Sequence, residues 1–340
     1  MQTKPLNLGI LSTANIAKQF ADGVRGSSSV KICAVASRSA APAKAFAKAH
    51  QIPVHYASYE QLLSDASIEA VYIPLPNHMH AQWAIKAMQA GKHVLCEKPL
   101  CLGLNEAQAM FKAADQHGVM LLEAYPYWFQ PQTFALVDLL AANAIGDVIA
   151  MQANFSFSLL RHAGNIRTSQ EAGGGALLDV GSYCVSLSRL VMGQAPLRVR
   201  ATPVWTAGGA AQGVDIAMLA QLGFSGGRTA QISCAMNRTC ERKATILGSA
   251  GTIETHYLNH TSAQDAPLRL WRGVVNDGPA EVIATAVGDG FRFTAEAFAD
   301  AVRLADFAAI NRARDASLDI ARTLEAIASA ARSGKTVALD

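Results

Sequence analysis

Within the first 125 residues, short runs rich in apolar and β-branched residues alternate with longer stretches at helical spacing. The runs are 6–11 (LNLGIL), 30–36 (VKICAVA), 69–73 (EAVYI), 92–96 (KHVLC) and 119–122 (VMLL), and the helical stretches are 15–24, 41–49, 79–90 and 104–117. This alternation constrains the fold more than any other feature, because strands separated by helices cross over and pair in parallel. The runs are almost continuously apolar, so both faces of the sheet must be covered. The expected N-terminal architecture is therefore a doubly wound parallel sheet, and such sheets bind ligands at the carboxyl ends of their strands.

After residue 125 the pattern changes. A helix (131–142), a strand (147–157) and a second helix (176–192) are followed by the runs 214–224, 228–236, 242–247, 252–257 and 268–272. Turn signals such as Ser225-Gly226-Gly227 and Gly248-Ser249-Ala250-Gly251 join them, and links that short imply antiparallel pairing. Helices over 294–306 and 316–333 close the chain, the latter with Gly334 as C-cap. A length of 340 residues suits two domains. We expect the first over 1–125 and the second over 126–340, an α+β domain with an open, mostly antiparallel mixed sheet.

Composition narrows the function. With 51% hydrophobic and 16% charged residues, and 26 Gly and 12 Pro scattered without repeat, disorder and collagen-like structure are excluded. The net charge is 29 − 26 = +3, with no basic run, so no nucleic-acid partner is expected. Pro74, Pro76, Asp138 and Asn143 interrupt every apolar stretch before the roughly 18 residues a spanning helix needs, so no membrane partner is expected. Cysteines stand at 33, 96, 101, 184, 234 and 240 without a C-x-x-C pair, which argues for free thiols in a reducing compartment and against a structural metal. Asn7, Ser12, Thr13 and Asn15 break the only segment resembling a leader, so the chain reads as mature and cytoplasmic.

The segment Gly9-Ile-Leu-Ser12-Thr13-Ala14-Asn15-Ile16-Ala17 joins the first strand to the first helix, where a G-x-G-x-x-G/A dinucleotide fingerprint would lie, and reads S-x-A-x-x-A. Small residues there permit the tight turn and leave helix N–H groups open to a pyrophosphate. On this segment alone, a plain strand-turn-helix is an equal reading. The end of the second strand adds weight. NAD enzymes place a carboxylate there for the ribose hydroxyls, whereas this chain has Ala36-Ser37-Arg38-Ser39. A carboxylate would repel a 2′-phosphate, and an arginine grips one in a bidentate manner. The expected cofactor is NADP(H) in preference to NAD(H), with Ser37 and Arg38 at its phosphate; the alternative for Arg38 is a solvated turn residue.

Two further segments carry chemistry. Glu97-Lys98-Pro99 ends the strand HVLC. An ammonium at that address can stabilise an alkoxide, and the proline admits a cis peptide. Considered without context, the lysine reads as a surface residue. In Gly173-Gly174-Gly175-Ala-Leu-Leu-Asp179-Val-Gly-Ser-Tyr183, the carboxylate and the phenol are four residues apart on one helix face. The phenol can exchange a substrate proton while the carboxylate binds a hydroxyl. The bland alternative is a turn aspartate and a partly buried tyrosine.

The order GILSTANIA, VASRS, YIPLPNHMH, EKP and GGGALLDVGSY resembles the Gfo/Idh/MocA oxidoreductases along nearly the whole chain. Within them it is most similar to the branch of NADP-dependent D-xylose dehydrogenases, dimeric dihydrodiol dehydrogenase and glucose-fructose oxidoreductase. That resemblance implies an N-terminal Rossmann domain and reversible hydride transfer with a sugar, polyol or diol substrate. It also implies a homodimer or homotetramer formed through the C-terminal sheet. It makes Lys98 the catalytic lysine, Tyr183 the proton donor or acceptor, and Asp179 the substrate-site carboxylate. Pro74, Leu75, Asn77 and His80 fall in the loop lining the nicotinamide side, beside Glu97. A metal on His78 and His80 lacks a third ligand. Arg167 resembles an active-site-loop residue that contacts substrate. Trp128 and Gln130 replace the arginine and histidine usual after the motif's glutamate. Two rival functions remain in view: an NAD-dependent glycosidase of the same family, which Arg38 disfavours, and a non-catalytic dinucleotide sensor, which retention of Lys98 and Tyr183 disfavours.

Overall fold

The computed structural model describes residues 4–159, 164–256, 267–274 and 278–339, the side chains of 307–310 excepted. The chain forms two compact units. The first takes the chain up to Cys101, then Asn105–Phe129 and Gly288–Asp315, and the second takes Leu102–Leu104, Gln130–Val287 and the chain from Ala316.

In the first unit, β1 (Leu6–Leu11), β2 (Val30–Ala36), β3 (Val54–Tyr56), β4 (Ala70–Ile73), β5 (His93–Glu97) and β6 (Leu121–Ala124) form one sheet in the order β3-β2-β1-β4-β5-β6. Every adjacent pair is parallel. This is the doubly wound order of dinucleotide folds, with its switch point between β1 and β4. The crossovers are α1 (Asn15–Val24), α2 (Ala40–His50), the single turn α3 (Tyr59–Leu63), α4 (His80–Gln89) and α5 (Leu104–His117). The expected strands and helices all appear, and β3 and α3 are added to them. At three and five residues, those two are too short to leave a periodic signal. Gly9 on β1 is required by packing: a Cβ there would lie 2.7 Å from Leu62 Cδ2.

In the second unit, α6 (Pro131–Ala141) leads into β7 (Val148–Ser158). A π-helical turn, Leu177–Gly181, then opens directly into α7 (Ser182–Met192). Next come β8 (Arg198–Trp205), a short α8 (Gly209–Gln212), β9 (Asp215–Gly223), β10 (Thr229–Ala235), β11 (Asn237–Gly248), β12 (Gly251–Thr255), β13 (Leu268–Arg272) and β14 (Glu281–Ile283). The strand expected over 252–257 is seen to Thr255, and its last residue lies outside the described residues. Two helices, α9 (Gly290–Leu304) and α10 (Phe307–Ser333), and a final β15 (Val337–Ala338) end the chain. Gly334 follows α10 at φ 68°, as its expected C-cap.

The second sheet has nine strands in the order β14-β13-β12-β11-β7-β10-β9-β8-β15. It is antiparallel except for β7 and β10, which pair in parallel with Cys234 opposite Phe155. The face bearing Phe155, Cys234 and Met218 packs beneath α7. The opposite face carries Val204, Leu219, Leu247 and Val282, all substantially exposed.

The helix α9 belongs with the first unit. Phe291 and Phe298 are buried in the cluster that contains Leu6, Phe20 and Tyr72. The Phe20 ring stacks on Tyr72 at 3.8 Å, with Phe291 edge-on to Phe20. Burying two phenylalanines contributes about 3–6 kcal/mol. Polar groups fix the orientation. Asp289 Oδ1 caps α9 by accepting from Phe291 N, and the Arg303 guanidinium donates to both Glu69 oxygens at 2.8 Å.

Candidate active site

The site residues of the first unit lie on the carboxyl edge of the parallel sheet, after β1, β2, β4, β5 and β6. After β1, Ser12 takes φ 149°, a left-handed value that glycine normally supplies at this point of the fingerprint. Its Oγ accepts from Ala14 N at 3.0 Å, which locks the turn. Ala14 is the N-cap of α1, yet no side chain caps the helix. Thr13, Asn15 and Ile16 follow the turn round, with Asn15 exposed and Ile16 leaning on the core. Ala17, the last small residue of the fingerprint, is fully buried against the sheet. Small side chains and an uncapped helix start are what a pyrophosphate needs, so these residues fit a dinucleotide.

At the end of β2, Ser37 is buried and donates its N–H to Tyr56 O, while Arg38 projects into solvent. Burial pushes the Tyr59 phenol up, and the positive charge of Arg38 opposes that shift. The guanidinium therefore stands at the α3 end of the sheet, where an adenosine 2′-phosphate would lie.

Beyond β4, Pro74 and Leu75 are buried and Asn77 opens a 3-10 turn that runs into α4. His80 is completely buried. Its Nδ1 lies 2.9 Å from Pro99 O and its Nε2 2.8 Å from Leu75 O. Each ring nitrogen thus faces a backbone carbonyl, and the neutral imidazole donates to one of the two, which ties it to the loop. Burial lowers its pKa, and the two carbonyls pull the other way.

At the end of β5, the buried Glu97 accepts a 2.5 Å hydrogen bond from the phenol of Tyr72. Lys98 is half-buried, and its peptide bond to Pro99 is cis. From β6, the buried Glu123 accepts from Leu100 N at 2.9 Å. The Trp128 indole donates to Tyr127 OH and its ring lies 5.0 Å from that of Tyr125, whereas Gln130 is buried at the start of α6.

In the second unit, the three glycines permit a hairpin-tight approach to α7. Gly175 N donates to Arg167 O, and a Cβ on Gly174 would lie 2.4 Å from that same oxygen. Gly175 has φ 115°, and a Cβ there would come within 2.2 Å of Asp215 Oδ1. Asp179 lies on the π-helical turn, a widening common at functional sites. The turn displaces Asp179 from regular helical register, yet Tyr183 still follows on the first turn of α7. Arg167 Nε donates to Asp179 Oδ2 at 2.5 Å. Tyr183 is almost wholly buried, its ring 5.2 Å from that of Phe155. The second unit thus brings Arg167, Asp179 and Tyr183 to the start of one helix, a set able to hold hydroxyls and to exchange a proton.

Two residues with a part in this arrangement escaped the sequence reading. Asp215, buried at the start of β9, accepts from Leu177 N at 2.7 Å and so caps the π-helical turn, and burial pushes its carboxyl up to about 7. Glu123 was visible only as part of a motif. A lone carboxylate beside a strand carries no periodic signal, so neither role could be found without the fold. No group of three or more His, Cys, Asp or Glu able to hold a metal occurs among the described residues.

Comparison with known proteins accounts for these features. Residues 6–125 match the model of an oxidoreductase family with an NAD-binding Rossmann fold, and residues 135–254 match the GFO/IDH/MocA C-terminal domain. The chain is 36% identical to a D-xylose 1-dehydrogenase (NADP(+)) of Haloferax volcanii over 98% of its own length and 99% of the relative's. It is 38% identical to a trans-1,2-dihydrobenzene-1,2-diol dehydrogenase of Danio rerio over 73% of the chain and 74% of the relative. Among solved structures, the 3-ketoreductase KijD10 of Actinomadura kijaniata, in complex with NADP and TDP-benzene, superimposes with a TM-score of 0.86 at 27% identity. That match covers 96% of this chain and 98% of that one. A Rossmann sheet, a nine-stranded mixed sheet and two matching family models along one continuous alignment leave a single assignment: the chain belongs to the Gfo/Idh/MocA family of oxidoreductases.

Proposed function

We propose that the chain is an NADP(H)-dependent oxidoreductase that moves a hydride between nicotinamide and a CH–OH carbon of a sugar, polyol or diol, or the corresponding carbonyl. The observation that carries this reading is the set of groups along the carboxyl edge of the six-stranded sheet. The uncapped start of α1 follows β1, the exposed Arg38 follows β2, and Lys98 follows β5. The NADP(+)-dependent relative and the NADP complex of KijD10 support the same cofactor.

In this reading Ser12, Thr13, Ala14, Asn15 and Ile16 hold the pyrophosphate, and Ser37 and Arg38 hold the 2′-phosphate. Pro74, Leu75, Asn77 and Glu97 line the nicotinamide side. Bound there, the nicotinamide supplies the hydride donor or acceptor at its C4. Tyr183 takes the alcohol proton as hydride departs, or returns it to the alkoxide in reduction. The Lys98 ammonium stabilises the oxyanion, and Asp179, steadied by Arg167, accepts hydrogen bonds from substrate hydroxyls. The exposed apolar side chains on the open face of the nine-stranded sheet support pairing of chains into a homodimer or homotetramer, which light scattering would test. No disulfide joins any of the six cysteines, which accords with a cytoplasmic location, and no described helix is long and apolar enough to cross a membrane.

The test is the near-ultraviolet absorbance of reduced nicotinamide across a panel of aldoses, anhydro-sugars and aromatic diols. Lys98→Met and Tyr183→Phe should lower turnover about 100-fold or more, within the range for lost proton-transfer catalysis, with NADPH affinity little changed. Arg38→Ala should weaken NADPH and spare NADH. Retained turnover in both of the first two variants refutes the mechanism. Release of sugar without a net absorbance change would indicate a glycosidase, and binding with neither signal a sensor.

A further inference from the structure

Lys98 stands just beyond the last paired residue of β5, so the sheet ladder does not set its direction. Its backbone continues into Pro99, which has no N–H and whose only backbone hydrogen-bonding group is its carbonyl. That carbonyl meets His80 Nδ1 at 2.9 Å. The next backbone group, Leu100 N, donates to Glu123 Oε1 at 2.9 Å. His80 opens α4 and Glu123 lies on β6, so the segment after the lysine is pinned from a helix and from the adjacent strand. Both side chains are buried, where an unmade hydrogen bond is costly. The other nitrogen of His80 lies 2.8 Å from Leu75 O, and since the neutral ring donates through one nitrogen only, the tie to Pro99 O takes the tautomer with its proton on Nδ1.

We propose that His80 and Glu123 are positioning residues for Lys98: they clamp Pro99 O and Leu100 N, and so aim the ammonium from the sheet's carboxyl edge. The proposal rests on the reading of Lys98 as the group that stabilises the oxyanion, and it gives His80 a role other than touching the cofactor. A misplacement of a catalytic group by about 1 Å costs on the order of 100-fold in rate, so the clamp should be visible in turnover.

The geometry of the imidazole supplies a discriminating pair of variants. An Asn amide nitrogen falls near the position of Nδ1 and can keep the Pro99 tie, whereas a Gln amide nitrogen falls near Nε2 and can reach only Leu75 O. His80→Asn should hold kcat within about 3-fold of the wild type, and His80→Gln should lose about 10–100-fold, with the Kd for NADPH unchanged in both. In the protein without cofactor, hydrogen exchange at the Leu100 amide should quicken at least 10-fold in the Gln variant and stay slow in the Asn variant. A filler of the core alone would make the two variants alike, and that equality overturns the proposal. Should both fail to fold, Glu123→Gln, which keeps an acceptor, against Glu123→Leu, which removes it, reads the same contrast, and equal turnover there overturns it too. If the wild-type protein turns over no substrate of the panel, the role of Lys98 falls, and the exchange contrast alone decides the clamp.

Discussion

Replacing Asp215 with asparagine isolates a single buried carboxyl. The side chain is 7% exposed, and its Oδ2 accepts from Leu177 N at 2.7 Å. Burial, outweighing the backbone N–H groups and the distant Arg332, raises its pKa from 3.8 to about 7. A folded-state pKa raised above the unfolded one contributes stability that is fully present below the unfolded value and lost as pH rises through the folded value. At pH 5, about two units below the folded pKa, the contribution is about 2 × 1.36, or nearly 3 kcal/mol, and at pH 8 almost none of it remains. Asparagine keeps a carbonyl for Leu177 N and carries no titratable proton. The wild type should therefore lose about 3 kcal/mol relative to Asp215→Asn between pH 5 and pH 8. Urea denaturation of both proteins at the two pH values measures this difference, followed by a probe of the second unit such as an engineered fluorophore on α7, since two units need not unfold together. Parallel pH dependences would refute the reasoning and place the ionised carboxylate in a well-solvated site.

Further outcomes follow from the same geometry. Gly175→Ala must hold φ near 115° and bring a Cβ to 2.2 Å from Asp215 Oδ1. It should cost about 2–4 kcal/mol, and an unchanged Tm would contradict it. Arg303→Ala removes the bidentate donor to Glu69, a pair that is 22% and 33% exposed, and should cost about 1 kcal/mol in chemical denaturation after discounting for solvent. The hydrogen bonds from Arg303 hold the Glu69 carboxyl below its ordinary range, so this contribution is present at neutral pH and fades as pH falls through the folded value. The variant should therefore lose its disadvantage in acid, and a constant difference from pH 3 to pH 7 would disprove the assignment.

Much of the fold was legible because both regular structures write their period into the sequence. The strands β1, β4, β5 and β6 are buried along nearly their whole length and β2 chiefly over Ala34–Ala36, so each appears as an apolar run. The 15–24 stretch became α1 residue for residue. The shortest elements were silent: β3, α3, β14 and β15 have three, five, three and two residues. The return of α9 to the first unit was equally hidden, since an amphipathic helix advertises an apolar face without naming what covers it.

The candidate site divides along the same line. Ser12-x-Ala14, Arg38, Glu97-Lys98-Pro99 and the Gly173–Tyr183 segment could be named from sequence because their chemistry resides in residue type at short spacing. The ion pair of Arg167 with Asp179, the placement of His80 against Pro99 O and the raised carboxyl of Asp215 belong to tertiary structure alone. Each depends on what a group far along the chain brings within about 3 Å, and on how much water is excluded there. Hydrogen bonds and charge shifts are set by that distance and that exclusion, whereas periodicity and small-residue turns are set by neighbours in the chain.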